Sequence, residues 1–169
     1  PNPKEVQGKS LLPLLEQNQL LRSAAIFGYW GGGINITDGE YTYFCYPRDM
    51  NNQELYQYTL MPTHMTKHFS IEELEHAKLV PPFDFTKNVP VLKIAHKSKA
   101  DTKTHSFHFP EKMEDTKTVM YNVRIDPGQT EPVNDPDVIA RLNNDLFRLM
   151  RENDAPKETI NRMEESLIS

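Results

Sequence analysis

The stretch "INITDGEYTYFCYP", residues 34–47, decides the fold, because two strand-length segments flank a turn dipeptide. Asp38-Gly39 favours a tight type I′ turn, so residues 34–37 and 40–47 are predicted to form a β-hairpin. Side chains alternate along a strand, and both faces of the second strand are apolar enough to be covered. One face is predicted to carry Tyr41, Tyr43 and Cys45, and the other Thr42, Phe44 and Tyr46.

Further segments of strand length lie on both sides of the hairpin. The apolar run 23–30 precedes it, and "LYQYTLM" (55–61) is predicted as a third strand. "TVMYNVRI" (118–125) is predicted as a fourth, closed by an Asp-Pro-Gly turn. The two hairpin strands, together with this third and fourth strand, predict a four-stranded antiparallel sheet.

Towards the end of the chain the apolar period changes to that of helices. Asp135 as N-cap and Pro136 at the first helical position predict a helix over 136–152. Its apolar stripe consists of Val138, Leu142, Leu146 and Leu149. A second helix is predicted from Pro156, with Ile160, Met163 and Leu167 on one stripe. A sheet this small needs packing to be stable, so we predict an α+β fold with these helices on one face.

Composition limits the classes of partner. The 169 residues, 37% of them hydrophobic, suit one domain, and 24 acidic against 19 basic side chains give a net charge of −5. That charge argues against a nucleic-acid partner. No apolar run reaches about 18 residues and the first residues lack signal-peptide features, so no membrane association is expected. A single cysteine permits no internal disulfide, and the compartment stays open.

The segment 62–117 between the predicted third and fourth strands contains all six histidines. "SIEELEHA" (70–77) is predicted as a short helix, whereas most of the remainder has no strong period. The lysine-rich "HKSKADTKTH" (96–105) is predicted to be mobile. We therefore expect a long, largely irregular insert.

Two motifs in the chain are typical of binding sites elsewhere. Gly31-Gly32-Gly33 follows a strand, as phosphate-binding loops do, but no helix start or Lys-Ser/Thr pair follows it, which favours a bulge or tight crossover. His64 and His68 have helical i, i+4 spacing, yet a zinc site needs a third protein ligand. A polar surface is therefore favoured over a metal site.

Three segments resemble, in order, the C-terminal region of sulfatases: "VQGKSLLPLL" (6–15), "RSAAIFGYWGGGINITDGEYTYFCYP" (22–47) and "MYNVRIDPGQTEPVND" (120–135). The family pattern there runs Gly-x-Ser-Leu-x-Pro-Leu-Leu, then a strand pair of the form "TDGRYTYF", then a strand ending in Asp-Pro-Gly and a C-terminal helix. The resemblance covers most of the chain apart from the insert.

The resemblance implies a parent of the alkaline-phosphatase-like superfamily that hydrolyses sulfate esters, with phosphate or phosphonate esters as the alternative. Its separate catalytic domain would hold a calcium-type divalent metal and a formylglycine nucleophile, so no cofactor is expected in this chain. Residues 1–22 would lead in from that N-terminal domain, and residues 23–169 would be the C-terminal subdomain. The partners implied are the catalytic domain and a small anionic ester. An independent binding or dimerisation module is the rival interpretation.

The family signature places proline two residues after the reactive cysteine or serine, and arginine two residues after that proline. Here Arg48 follows Pro47 directly, so Cys45 is predicted to be a packed residue. No catalytic or metal-binding residue of the family can be transferred to this chain, which we expect to be structural and inactive alone. Only His64, Lys67 and His68 are predicted to face an anionic substrate, as a cationic rim.

Overall fold

A computed structural model describes Val6 and residues 8–50, 53–61, 63–64, 66–96 and 117–165. In chain order its elements are α1 (Leu12–Gln17), β1 (Ala25–Gly28), β2 (Ile34–Thr37), β3 (Tyr41–Phe44), β4 (Leu55–Thr59), α2 (Ile71–Glu75), β5 (Lys78–Val80), a 3₁₀ turn (Asp84–Thr86), β6 (Val91–His96), β7 (Val119–Asn122), α3 (Pro136–Glu152) and α4 (Lys157–Glu164). The predicted α+β class is confirmed.

The first sheet has the strand order β1-β2-β3-β7, and every neighbouring pair is antiparallel. The predicted hairpin is confirmed, but its turn is not type I′, which requires positive φ at both Asp38 and Gly39. Only Gly39 has it, at 86°. Asp38 instead uses its side chain, because Oδ1 accepts hydrogen bonds from the backbone N–H groups of Glu40 (2.9 Å) and Tyr41 (2.7 Å).

The segment predicted as the third strand of this sheet belongs to a second one. β4 pairs with β6, and β6 with β5, in a three-stranded antiparallel sheet. The insert therefore supplies two of these strands, which the sequence did not predict. Buried and exposed residues do not alternate along β6. Val91 and Ile94 are both buried, although their odd spacing puts them on opposite faces of the strand.

The short helix predicted within 70–77 is confirmed as α2. Ser70 is its N-cap, and Ser70 and Glu73 form a reciprocal capping box. The predicted mobile segment 96–105 lies outside the described residues, apart from the backbone of His96 at the end of β6.

Both predicted C-terminal helices are present. α3 spans the predicted residues, and Oδ1 of its N-cap Asp135 accepts from Asp137 N (3.1 Å) and Val138 N (3.2 Å). α4 begins directly after Pro156, while Leu167 lies outside the described residues. One buried cluster joins these helices to the first sheet: Ala24, Ile36, Tyr43, Cys45, Met120, Leu142, Leu146, Phe147, Met150 and Met163.

Helix α1 contributes nothing to this cluster. None of its residues is buried, and exposure reaches 58% at Leu12 and 77% at Leu15. The leucine-rich start of the chain therefore presents an apolar surface that the described residues do not cover.

Candidate functional site

The three predicted substrate-facing residues lie close together, but in a turn and not on a helix. An isolated antiparallel bridge joins Thr63 to His68, so His64 and His68 do not share a helical face. Lys67 and His68 are exposed, whereas His64 is half-buried. The three side chains thus differ in their access to a ligand, and their role towards substrate stays a prediction.

The ring of His64 is engaged by the start of α2. Its Nε2 lies 2.8 Å from Glu73 Oε1, and the ring packs against Phe69 with centroids 4.2 Å apart. Glu73 Oε2 accepts from the backbone N–H of Ser70 at 2.7 Å. Burial acts to raise the pKa of Glu73, but the Ser70 and His64 hydrogen bonds outweigh it and hold that pKa below its usual range. The His64 side chain therefore connects the turn to the N-terminus of α2.

The triple glycine forms the tight connection between β1 and β2, as the sequence favours. Gly31 has a φ of 77°, and Gly32 N donates to Tyr29 O at 3.0 Å. A Cβ on Gly32 would lie 2.3 Å from the Tyr29 ring, so a larger residue there would have to displace that ring. No helix follows the loop, because β2 begins at Ile34. The main-chain oxygens of the loop have side-chain partners: Gln53 Nε2 donates to Gly31 O at 3.1 Å.

Arg162 of α4 is the second partner of this loop, and sequence reasoning missed it. Its Nη1 donates to Gly32 O at 3.2 Å and also to Gln53 Oε1. The guanidinium is half-buried. Nothing in the local sequence indicates that Arg162 is buried. An arginine four residues after a glutamate on a polar helix is typical of a solvent-exposed ion pair.

A second polar cluster, also missed, connects the three-stranded sheet to α4. Lys93 Nζ lies 2.8 Å from Glu158 Oε1 and 3.9 Å from the centroid of the Tyr56 ring. The hydroxyl of Tyr58 donates to the same carboxylate. Burial first, and then this hydrogen bond to Glu158, raise the pKa of Tyr58 to about 12, so the phenol is neutral at neutral pH. Partly buried charges here are paired, which is typical of a structural contact.

Cys45 lies directly after β3 and is fully buried. Its backbone N–H donates to Asn35 Oδ1 at 3.2 Å. Burial first, and then the neighbouring thiol, raise the pKa of Tyr43 to about 12, so that phenol is no base for the cysteine at neutral pH. The predicted packed position is confirmed, and a nucleophile would need exposure that Cys45 does not have.

The part of the chain that the structure describes gathers no group of three or more His, Cys, Asp or Glu side chains in a metal-binding arrangement. His105 and His108 lie outside that part. Among the described helices, none is both long and apolar enough to cross a membrane.

Comparison with protein-family models, with curated proteins and with solved structures found no match to this chain. The resemblance to sulfatases therefore depends on the sequence motifs alone.

Proposed function

We propose that this chain is the C-terminal subdomain of a sulfatase-like hydrolase. In this proposal the catalytic domain is a separate part of the parent, and it supplies the formylglycine nucleophile and a calcium-type metal for the hydrolysis of sulfate esters. The chain itself is structural and inactive alone. Its α3 and α4 helices complete the subdomain core, and the insert borders the substrate pocket.

The observation that carries the proposal is the exposed apolar surface of α1. The leucines of "GKSLLPLL" (8–15) belong to the first motif of the resemblance, and Leu11, Leu12 and Leu15 are 61%, 58% and 77% exposed. A helix this short is not stable by its own hydrogen bonds. Contiguous exposed leucines mark a surface that another protein element covers. In the proposed parent, the catalytic domain covers it.

The exposed Lys67 and His68 would then be the members of the predicted rim that meet an anionic ester. His64 contributes indirectly, because its contact with Glu73 at 2.8 Å fixes the turn that presents the other two.

The coding sequence upstream of residue 1 tests the proposal. A Cys-x-Pro-x-Arg or Ser-x-Pro-x-Arg signature in an upstream α/β domain is the expected result, and an unrelated upstream domain would overturn it. A full-length protein that carries the signature should release sulfate from an aryl sulfate, and the 169-residue chain with added calcium should not.

A stand-alone binding or dimerisation module is the second candidate. One observation favours it: the rings of Phe27, Phe44 and Tyr121 form a row along the first sheet, with successive centroids 6.1 Å apart, and Phe27 is 42% exposed. Sedimentation equilibrium of the isolated chain separates the two. If the chain is a dimer that Phe27→Ser converts to a monomer, the result favours the module. If Leu15→Ser disrupts the dimer instead, the dimer forms through the α1 leucines, which the catalytic domain would cover in the proposed parent.

A further inference from the structure

The guanidinium of Arg162 is held on one side only. Nη1 donates two hydrogen bonds, one to Gly32 O and one to Gln53 Oε1. Nε and Nη2 have no hydrogen-bond partner among the described residues, and neither atom is fully buried. The open edge of the fork therefore reaches solvent.

The positive charge of this half-buried group has no counter-charge in the described part of the chain. Both partners of Arg162 are neutral oxygens, and its pKa is lowered because burial removes water from the cation. Glu158, one helical turn away, is already paired with Lys93 at 2.8 Å. Fully buried arginines are almost always paired, and this half-buried arginine has no carboxylate partner among the described residues.

The geometry of the open edge suits an oxyanion. Nε and one Nη of a guanidinium form a planar pair of parallel donors that matches two oxygens of a carboxylate, sulfate or phosphate. Gly32 and Gln53 fix the opposite edge, and Gln53 is itself fixed by Gly31 O (3.1 Å) and Met50 O (2.9 Å). The donors are thus preorganised before any ligand arrives.

Trp30 directly precedes the glycine loop that Arg162 binds. Its Nε1 donates to Tyr56 O at 3.2 Å, and its side chain is 47% exposed. The exposed, anchored indole is two residues from the carbonyl that Arg162 binds, so it can report on changes at the loop.

We infer that Arg162 is the anchor of an oxyanion-binding site on the β1–β2 loop, in which Nε and Nη2 bind two oxygens. The site is distinct from the rim of His64, Lys67 and His68, and it holds whether or not the parent is a sulfatase.

Fluorescence of Trp30, the only tryptophan, provides the test in the 169-residue chain. Sodium sulfate, sodium phosphate and sodium acetate are titrated at constant ionic strength against sodium chloride. At least one oxyanion should give a saturable change with a millimolar Kd, and chloride should not. Arg162→Gln removes the charge and should weaken binding at least about tenfold, which is about 1.4 kcal/mol. Arg162→Lys keeps the charge but loses the fork, and should weaken it as well.

Arg151→Gln is the matched control, because this arginine is 59% exposed and pairs with Glu164 at 3.3 Å. It should bind like the wild type. If the Arg162 variants do not fold, the Nε–H resonances of wild-type arginines decide the question: sulfate should shift that of Arg162 and not that of Arg151. Failure of every oxyanion to saturate, equal affinity of Arg162→Gln, or an unmoved Arg162 resonance would each overturn the inference. None of these outcomes depends on hydrolytic activity.

Discussion

Leu146→Ala should strongly destabilise the isolated chain. Leu146 is fully buried in the cluster that joins α3 to the first sheet. Removing a buried leucine side chain to alanine costs about 2 to 5 kcal/mol, since the lost transfer free energy adds to the cost of a cavity. Against a total stability of about 5 to 15 kcal/mol this is a large fraction. For a domain of this size, about 2 to 4 °C of Tm is lost per kcal/mol.

Leu15→Ala is the matched control, since the chemical change is the same but Leu15 is 77% exposed. Urea unfolding followed by circular dichroism measures both variants, and Leu15→Ala should stay within about 0.5 kcal/mol of wild type. Leu146→Asp should unfold or aggregate the chain, because an unpaired charge would enter the same site. If Leu146→Ala proves as mild as Leu15→Ala, α3 does not pack on the sheet in solution.

In the proposed full-length hydrolase, Cys45→Ser should leave kcat nearly unchanged and cost roughly 1 to 3 kcal/mol of stability through a buried hydroxyl; a formylglycine mass at position 45 would contradict this. In the same proposed hydrolase, replacing His64, Lys67 and His68 together with Ala should raise KM for the ester with only a small change in Tm, whereas an unchanged KM at equal Tm would exclude the rim. Glu158→Gln should flatten the acid side of the stability curve. Its partners lower the pKa of Glu158 against the opposing effect of burial, so the carboxylate stabilises the fold above the unfolded-state value of about 4.3. That contribution is lost as the pH falls through the lowered folded-state value, and equally steep acid unfolding in the variant would refute the effect.

The parts of the fold that local chemistry determines were predictable from the sequence. Asp135, Pro136 and a helical apolar stripe defined α3 over its full length. The Asp38-Gly39 dipeptide located the hairpin, although not its turn type, because the Asp38 carboxylate accepts from the N–H groups of Glu40 and Tyr41. The same carboxylate also accepts from Arg141 Nη2 at 2.7 Å. That contact bridges residues far apart in sequence, and no local pattern reveals it.

Strand partnership was not predictable for the same reason. β4 has the composition of a strand, but its partner β6 comes from the insert, and the register Tyr58↔Lys93 joins residues with no shared local signal. The geometry of the candidate site was not predictable from local sequence either. His64 and His68 have helical spacing, but they lie in a turn that bridges Thr63 and His68, and the His64 ring contacts Glu73.

Helix α4 shows most clearly what tertiary structure adds to a sequence pattern. Glu158 and Arg162 have the i, i+4 spacing and order that stabilise an isolated helix as an ion pair. In the fold each charge has a different partner: Glu158 binds Lys93 of the second sheet, and Arg162 binds the glycine loop of the first. Met163 on the same helix is fully buried in the core. Because the carboxylate is occupied elsewhere, the arginine retains an uncompensated charge, and that tertiary arrangement, invisible to helix periodicity, is what makes an external oxyanion its expected partner.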